Sequence, residues 1–406
     1  MNLLIVSSWF PFPPSNGSKL RAFHLLAHLA ERHKVTLLSF AEPGEEREVR
    51  ALETLCQRVQ TVPGNPFKAG RLGLTQLFSR TPRSYAKTYS PAMQALVDAQ
   101  LSIHDAAIGL QLGASLYLAT RSGIPRVLEE VEVSVIRDRY VDQRWGLARA
   151  RHGLTWWKYR RFVETLVSQF ERTTVVSDVE RSRLGEIGCD LSRVRVAPNG
   201  VERRDLARTG DRQQGRLIYP GSVTYSPNLE AVQYFVNEVF GSIKATRPDA
   251  TLTVTGSTGE VDVAPISKVA GVTFTGHVPD VKSVVASSAV CVVPLRSGGG
   301  TRLKILEAMA LGTPVVSTSK GAEGLAVTHG VDILIADSPE TFAAAVLRVL
   351  SDSTLREQLA RNGRDLVERF YTWDRIGGQL ETILDEAINA AGARRAARGE
   401  HRAAWS

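Results

Sequence analysis

Short apolar runs alternate along this chain with longer stretches in which apolar residues recur every three or four positions. Leu3, Leu4, Ile5 and Val6 form the first run. Ser15, Asn16, Gly17 and Ser18 then read as a turn and helix start. Leu20, Phe23, Ala27 and Ala30 follow at helical spacing, before a second run at Val35, Thr36, Leu37 and Leu38. That order predicts a strand, a helix and a second strand parallel to the first. Further strands are expected at residues 106–110, 126–128 and 174–176. A polar stretch, residues 203–216, reads as an interdomain linker, and it includes Gly210, Asp211, Arg212, Gln213, Gln214 and Gly215. The alternation then restarts, with strands at 217–219, 252–254, 272–274, 290–293 and 314–317 and a helix over about 228–245. Residues 341–369 are mostly helical in pattern. A last helix is expected over about 374–391, with a fraying end at 392–406.

Such alternation predicts an α/β fold with parallel sheets covered by helices. Three parts are expected: 1–206, a Rossmann-like domain; 207–375, a second Rossmann-like domain; and 376–406, a helix and tail packing back on the first. The length of 406 residues agrees with more than one domain. Hydrophobic residues at 43% and charged residues at 23% exclude a disordered chain, a collagen and a small disulfide scaffold. Cys56, Cys189 and Cys291 lie far apart, with no CxxC or Cys/His cluster, so neither a metal site nor a disulfide framework is expected. Sparse cysteine fits a reducing cytoplasm. No run approaches the roughly 18 apolar residues of a membrane span. The first run ends at Pro11, Pro13 and Pro14 without a basic stretch ahead of it, which reads as a strand and not a leader.

Charge changes the picture in one place. The net charge is +8, and residues 1–206 hold 29 Lys and Arg against 21 Asp and Glu, so the excess lies there. Much of it falls in residues 137–161, where Arg137, Arg139, Arg144, Arg149, Arg151, Lys158, Arg160 and Arg161 interleave with Trp145, Trp156 and Trp157. Two readings stay open: a solvated helical face, or a surface for anionic membrane, where basic residues meet lipid phosphate and tryptophan sits at the interface. The second would place the protein in the cytoplasm, peripheral on the inner face of the membrane. No helix-turn-helix, RRM or zinc-finger pattern is present, so nucleic acid is not expected as a partner.

The segment richest in chemistry is VVPLRSGGGTRLKILEAMALGTPVVSTSKGAEGL, residues 292–325. A buried strand ends at Pro294, Gly298, Gly299 and Gly300 follow, and a helix is expected near Thr301. Glycines let backbone approach a ligand, and a helix N-terminus offers unpaired N–H groups and a positive dipole end, a natural seat for a diphosphate. Lys304 and Glu307 are three apart and share a face. There a lysine can neutralise phosphate, and a carboxylate can accept hydrogen bonds from vicinal sugar hydroxyls. Each signal alone is common; the combination is not. Neither a dinucleotide GxGxxG fingerprint nor a Walker A loop is present.

The segment GGGTRLKILEAMALGTPVVST resembles the donor-binding signature of the GT4-type (group 1) glycosyltransferases of the GT-B fold. SSWFPFPPSNGSKLRAFHLLAHLAERHKVTLLSF, VVSDVERSRL, PNGVE, YPGSVTYSPNLEAVQYF, FTGHVPDV and the Tyr371, Thr372, Trp373 triplet agree in order. Within that family the chain is most similar to bacterial exopolysaccharide sugar transferases. The resemblance implies two Rossmann-like doubly wound domains facing a cleft, 1–206 on the acceptor side and 207–375 binding the nucleotide sugar, with a C-terminal helix crossing back. It implies transfer of a sugar, with retention, from a nucleotide diphosphate sugar to a glycan, lipid-linked or small-molecule acceptor, with no cofactor and no metal for donor binding. Glu307 matches the glutamate that holds the ribose hydroxyls, and Lys304 matches a basic position at the diphosphate. Gly17 matches the glycine loop after the first strand, and His277 with Val278 matches the loop that receives the base. Donor contacts are implied also for Gly221, Gly298, Gly299, Gly300, Thr301 and Leu303.

Two departures matter. The position eight before Glu307, often a second glutamate, is Gly299 here, and the usual Arg and Lys pair after the first strand of the second domain is missing. Arg296 and Arg302 are the candidates to replace that pair, Arg302 as a catalytic residue. In the first domain, Glu129, Glu130 and Glu132 follow a strand at the end where α/β folds place ligands, so one of them is a candidate for the acceptor hydroxyl. A nucleotide-sugar 2-epimerase of the same fold and a non-catalytic nucleotide-sugar-binding protein stand as alternatives.

Overall fold

The structure, a computed structural model, describes residues 1–65, 82, 85, 89–121, 123–143, 145–207, 212–299 and 302–403, with side chains to residue 394. Arg144, Gly210, Asp211, Gly300 and Thr301 lie outside the described residues. The chain divides into two units: Met1–Pro198 with Asp374–Ser406, and Asn199–Trp373.

In the first unit, β1 (Asn2–Ser7) is buried from Leu3 to Ser7. A strand covered on both faces can be apolar throughout, which is why the run does not alternate. Asn16 caps α1 (Gly17–Ala30), its side chain accepting from the Lys19 N–H at 3.0 Å. β2 (Lys34–Ala41) returns parallel to β1, with Leu4 opposite Thr36. There follow α2 (Glu46–Glu53), β3 (Arg58–Pro63), α3 (Pro91–Leu101), β4 (Ala106–Leu110), α4 (Gln111–Ala119) and β5 (Arg126–Glu129). Then come α5 (Ser134–Val141), α6 (Leu147–Ser168), β6 (Arg172–Val175), α7 (Asp178–Glu186) and β7 (Val194–Val196). The seven strands are parallel in the order β3-β2-β1-β4-β5-β6-β7.

The second unit repeats the plan. A 3-10 turn (Arg203–Ala207) leads to β8 (Gln213–Pro220), so the described part of the polar stretch 203–216 is folded within this unit. Next are α8 (Ser226–Tyr234), a π turn (Phe235–Val239), α9 (Phe240–Thr246), β9 (Thr251–Thr255), α10 (Ala264–Ser267), β10 (Val272–Gly276) and α11 (Val281–Ala286). The unit closes with β11 (Ser288–Val293), α12 (Leu303–Ala310), β12 (Val315–Ser317), β13 (Leu334–Ile335), α13 (Pro339–Ser351) and α14 (Ser353–Phe370). Its parallel sheet has the order β10-β9-β8-β11-β12-β13. Every residue of β11 is buried. The unit's two ends meet, the Val201 N–H donating to the Tyr371 carbonyl at 2.7 Å and the Trp373 N–H to Val201 at 3.1 Å.

The last helix, α15 (Trp373–Ala403), is longer than its pattern predicts. From Asp374 on it belongs to the first unit. Glu381 there pairs with Arg32, in the turn after α1, at 2.7 Å, and Glu386 with Arg172 and Arg195, both at 2.8 Å.

One buried ion pair ties the first unit together. Arg21 on α1 is 1% exposed and donates through Nε to Glu129 at 2.8 Å, while its other donors reach the carbonyls of Ala197 at 2.9 Å and Pro198 at 2.8 Å. The Thr174 hydroxyl donates to the same carboxylate at 3.2 Å. Helix α1, the end of β5, β6 and the segment after β7 thus share one charge pair. Removing one partner leaves the other charge buried and alone. Glu129→Ala should therefore lose about 3–5 kcal/mol of stability, read from urea unfolding of the whole chain.

Candidate active site

In the second sheet the strand order turns between β8 and β11. Ligands of open α/β sheets collect beyond the C-terminal strand ends at such a reversal. Four loops leave there. Gly221 follows β8 with φ +146°, a conformation for which glycine is suited. A Cβ at Gly221 would stand 3.0 Å from Lys304 Nζ and 3.1 Å from Asn228 Nδ2. Gly256 follows β9, and His277 and Val278 follow β10. After β11 comes Gly298, at φ +93° and packed on Pro227. A cavity of about 250 Å³ opens along these ends, lined on its apolar side by Val278, Val281, Val285 and Leu311 and reached by His277, Lys282 and Glu307.

Helix α12 carries the charged groups. It starts at Leu303, with Arg302 at the N-cap position giving no side-chain cap. Ile305, Leu306, Ala308, Met309 and Ala310 are buried, which leaves Leu303, Lys304 and Glu307 on the half-buried face. The helix ends at Gly312, φ +72°, in a Schellman turn: the Thr313 N–H meets the Ala308 carbonyl at 2.8 Å and the Gly312 N–H that of Met309 at 2.9 Å.

Lys304 Nζ donates to the Tyr219 hydroxyl at 2.8 Å and to Asn228 Oδ1 at 2.9 Å, and lies 4.0 Å from the centre of the Tyr219 ring. Burial pulls its pKa down to about 7; neighbouring Arg302 lowers it further, while Glu307 opposes the shift. Glu307 is pushed up to about 7, first by burial, with Asp205 adding and Lys282 and Lys304 opposing. Its carboxylate has no hydrogen bond or ion pair among the described residues, and it lines the cavity. Lys282 is itself engaged by Asp205 at 2.7 Å.

The two candidate arginines differ. Arg302 is buried, and its guanidinium donates to the carbonyls of Gly298 at 2.7 Å, Gly299 at 3.0 Å and Lys320 at 3.2 Å. It braces the glycine loop. Arg296 is exposed and lies over the Tyr234 ring at 4.9 Å. Gly299 is half-buried in the same loop. Lys304, Glu307, Gly221, His277 and Val278 converge on the strand ends of the second unit. Gly17 lies in the first unit, exposed at the start of α1.

Of the three acids, Glu129 ends β5 and is committed to Arg21, whereas Glu130 adopts φ +62° and accepts from Gln111 Nε2 at 3.0 Å. Gln111, just after β4, is itself at φ +68°. Burial beside Glu129 raises Glu130 to about 7, with Arg21 opposing. Two hydrogen-bonded non-glycine residues in the left-handed region mark strained ends of the neighbouring strands β4 and β5. Gln111 in the first unit, and Tyr219 and Asn228 in the second, were not legible as site residues: no spacing rule links each to its partner on a separate element.

Two parallel α/β units with these loops define the GT-B glycosyltransferase fold. Residues 15–205 match Glycosyltransferase Family 4 and residues 214–352 match Glycosyl transferases group 1, and the chain belongs to these glycosyltransferases. The chain is 35% identical over 85 residues to the glycosyltransferase YtcC of Bacillus subtilis, a match spanning 20% of this chain and 21% of that one. It is 20% identical over 387 residues to a 44.6 kDa protein of the cps region of Klebsiella pneumoniae, covering 91% of this chain and 96% of that one. Anabaena HepE in complex with UDP and glucose is similar in fold, at TM-score 0.67 and 15% identity, covering 95% of this chain and 99% of that one.

The raised Glu307 and lowered Lys304 carry opposite pH signatures. The folded state holds the Glu307 proton more tightly than the unfolded state, so its contribution to stability falls as pH rises from about 4.5 to about 7. The Lys304 penalty is full below about pH 7 and is relieved as pH rises toward 10.5. Glu307→Gln should therefore stabilise the chain at pH 8 by on the order of 1–3 kcal/mol, with the gain fading toward pH 5, in denaturant titrations across that range.

Proposed function

We propose that this glycosyltransferase moves a sugar, with retention at the anomeric carbon, from a nucleotide diphosphate sugar to a glycan or lipid-linked acceptor in polysaccharide or glycoconjugate synthesis. The observation that carries the reading is Lys304 and Glu307 on one face of α12, behind a glycine loop and beside the cavity at the strand ends. On this reading Val278 and its apolar neighbours receive the base and Glu307 accepts from the ribose hydroxyls. Lys304 and the first turn of α12 meet the diphosphate, and no metal is required for donor binding. Arg302 acts through the loop it holds. As the bond from the anomeric carbon to the diphosphate oxygen breaks, negative charge grows on that oxygen, where a preorganised ammonium counts most. HepE, bound to UDP and glucose, and the cps-region relative support the donor class and the polysaccharide setting.

Interactions that strengthen in the transition state lower kcat more than they raise KM. Lys304→Ala should lose roughly 10²-fold or more in kcat, and Lys304→Arg should recover part of it, because charge is kept while reach changes. Steady-state kinetics with a panel of UDP, GDP and ADP sugars decide this. A near-wild-type kcat in Lys304→Ala would pass the phosphate role to Arg296. Release of a free epimerised sugar in place of a glycoside would favour the epimerase.

A second surface supports attachment to anionic membrane on the cytoplasmic face. Among the described residues no helix is long and apolar enough to cross a membrane. Around α6, Trp145 is 93% and Leu147 92% exposed, with Leu154 and Trp157 also outward, whereas Trp156 is half-buried beside Tyr159. Arg149 lies over Trp145 at 5.3 Å and Arg161 over Trp157 at 5.8 Å, while Arg151 and Arg160 are exposed. Each basic residue near such a surface contributes about 1 kcal/mol. Sedimentation with phosphatidylserine vesicles should fall with added salt and with Arg160→Glu/Arg161→Glu. Equal binding to neutral vesicles would count against this attachment.

A further inference from the structure

An ammonium has three N–H donors. Two of those of Lys304 are taken by the Tyr219 hydroxyl at 2.8 Å and Asn228 Oδ1 at 2.9 Å, and no third acceptor is present among the described residues. The two acceptors are themselves fixed. Tyr219, 1% exposed on β8, donates its own hydroxyl proton to Asn228 Oδ1 at 2.8 Å. Asn228, in the first turn of α8, donates through Nδ2 to the Ser222 carbonyl at 2.7 Å. The ammonium therefore hangs from a closed chain of hydrogen bonds anchored in a strand, a helix and the turn after β8. A Cβ on residue 221 would crowd the ammonium at 3.0 Å, so glycine there keeps that side of it open. An N⁺–H···O⁻ contact to phosphate, about 2.7–2.9 Å long, needs such an open side.

We propose that Tyr219 and Asn228 are positioning residues that aim the remaining N–H of Lys304 past Gly221, whose missing side chain leaves the ammonium open to an oxygen of the donor's diphosphate. This rests on the phosphate role of Lys304. The groups facing the ammonium are the Cys291 thiol on β11, Arg302 ahead of α12, Glu307 one turn on, and Tyr219 on β8. Cys291 is pushed up to about 12 by burial and stays a neutral thiol. Among these neighbours, the Tyr219 hydroxyl and Asn228 supply oxygens that favour the protonated form. A phosphate oxygen adds a third, so donor binding draws a proton onto Lys304 near neutral pH.

The test is Tyr219→Phe, with Asn228→Ala as a second variant. The probe is whichever of UDP, GDP or ADP binds the wild-type chain most tightly by titration calorimetry. Loss of a hydrogen bond to a charged group should weaken that binding roughly tenfold or more. Proton uptake at pH 7.5, read in buffers of different ionisation enthalpy, should rise, because the free ammonium is less favoured without the hydroxyl. The alkaline limb of the rate profile should move to lower pH. A purely structural role would lower the unfolding midpoint and leave the limb in place. Wild-type affinity and an unmoved limb in folded Tyr219→Phe, with Lys304→Ala impaired, overturn the positioning role alone. Wild-type affinity in Lys304→Ala overturns the phosphate role beneath it.

Discussion

The second unit is organised around a charge kept partly out of water. Lys304 and Glu307 stand one turn apart on a short helix whose other faces are buried, and burial drives both toward neutrality. Most of the neighbouring structure serves to keep that arrangement in place. Arg302 holds the glycine loop from behind, the Schellman turn at Gly312 stops the helix before β12, and Gly221 leaves room beside the ammonium. A folded chain carrying such a pair gives up stability for chemistry, which is the usual relation between binding sites and scaffold.

The fold was legible because parallel strands buried on both faces read as unbroken apolar runs. Residues 3–6, 35–38, 106–110, 217–219 and 290–293 all lie in strands. β3, with half-buried residues, and the short β7 and β13 lack that signature and escaped it. Helix starts followed capping chemistry, as at Asn16, whereas α12, from Leu303, has no capping side chain to mark its start.

The candidate site was legible where its residues are close in sequence. Gly298, Gly299, Lys304 and Glu307 fall within ten positions, so motif and helix spacing brought them together. Arg302 in the same segment is different: its charge suggested a phosphate, and its burial under three carbonyls makes it a brace. Tyr219 and Asn228 come from other elements, and only the fold shows that they meet Lys304. Likewise the run of acids at the end of β5 did not separate by sequence. The structure gives Glu129 to Arg21 and sets Glu130 against Gln111 across two strained strand ends.

The return of the chain at Trp373 has a consequence for synthesis. The first unit is interrupted by 175 residues, from Asn199 to Trp373, and completed only by α15. While the ribosome is still making that insertion, Arg32, Arg172 and Arg195 lack the carboxylates of Glu381 and Glu386 that pair with them in the finished protein. The inserted unit, its ends joined at Val201 and Tyr371, has its full set of strands before α15 emerges. Vectorial synthesis thus inverts the usual order in which N-terminal domains mature first. The unit that begins the chain is the one whose final helix arrives last.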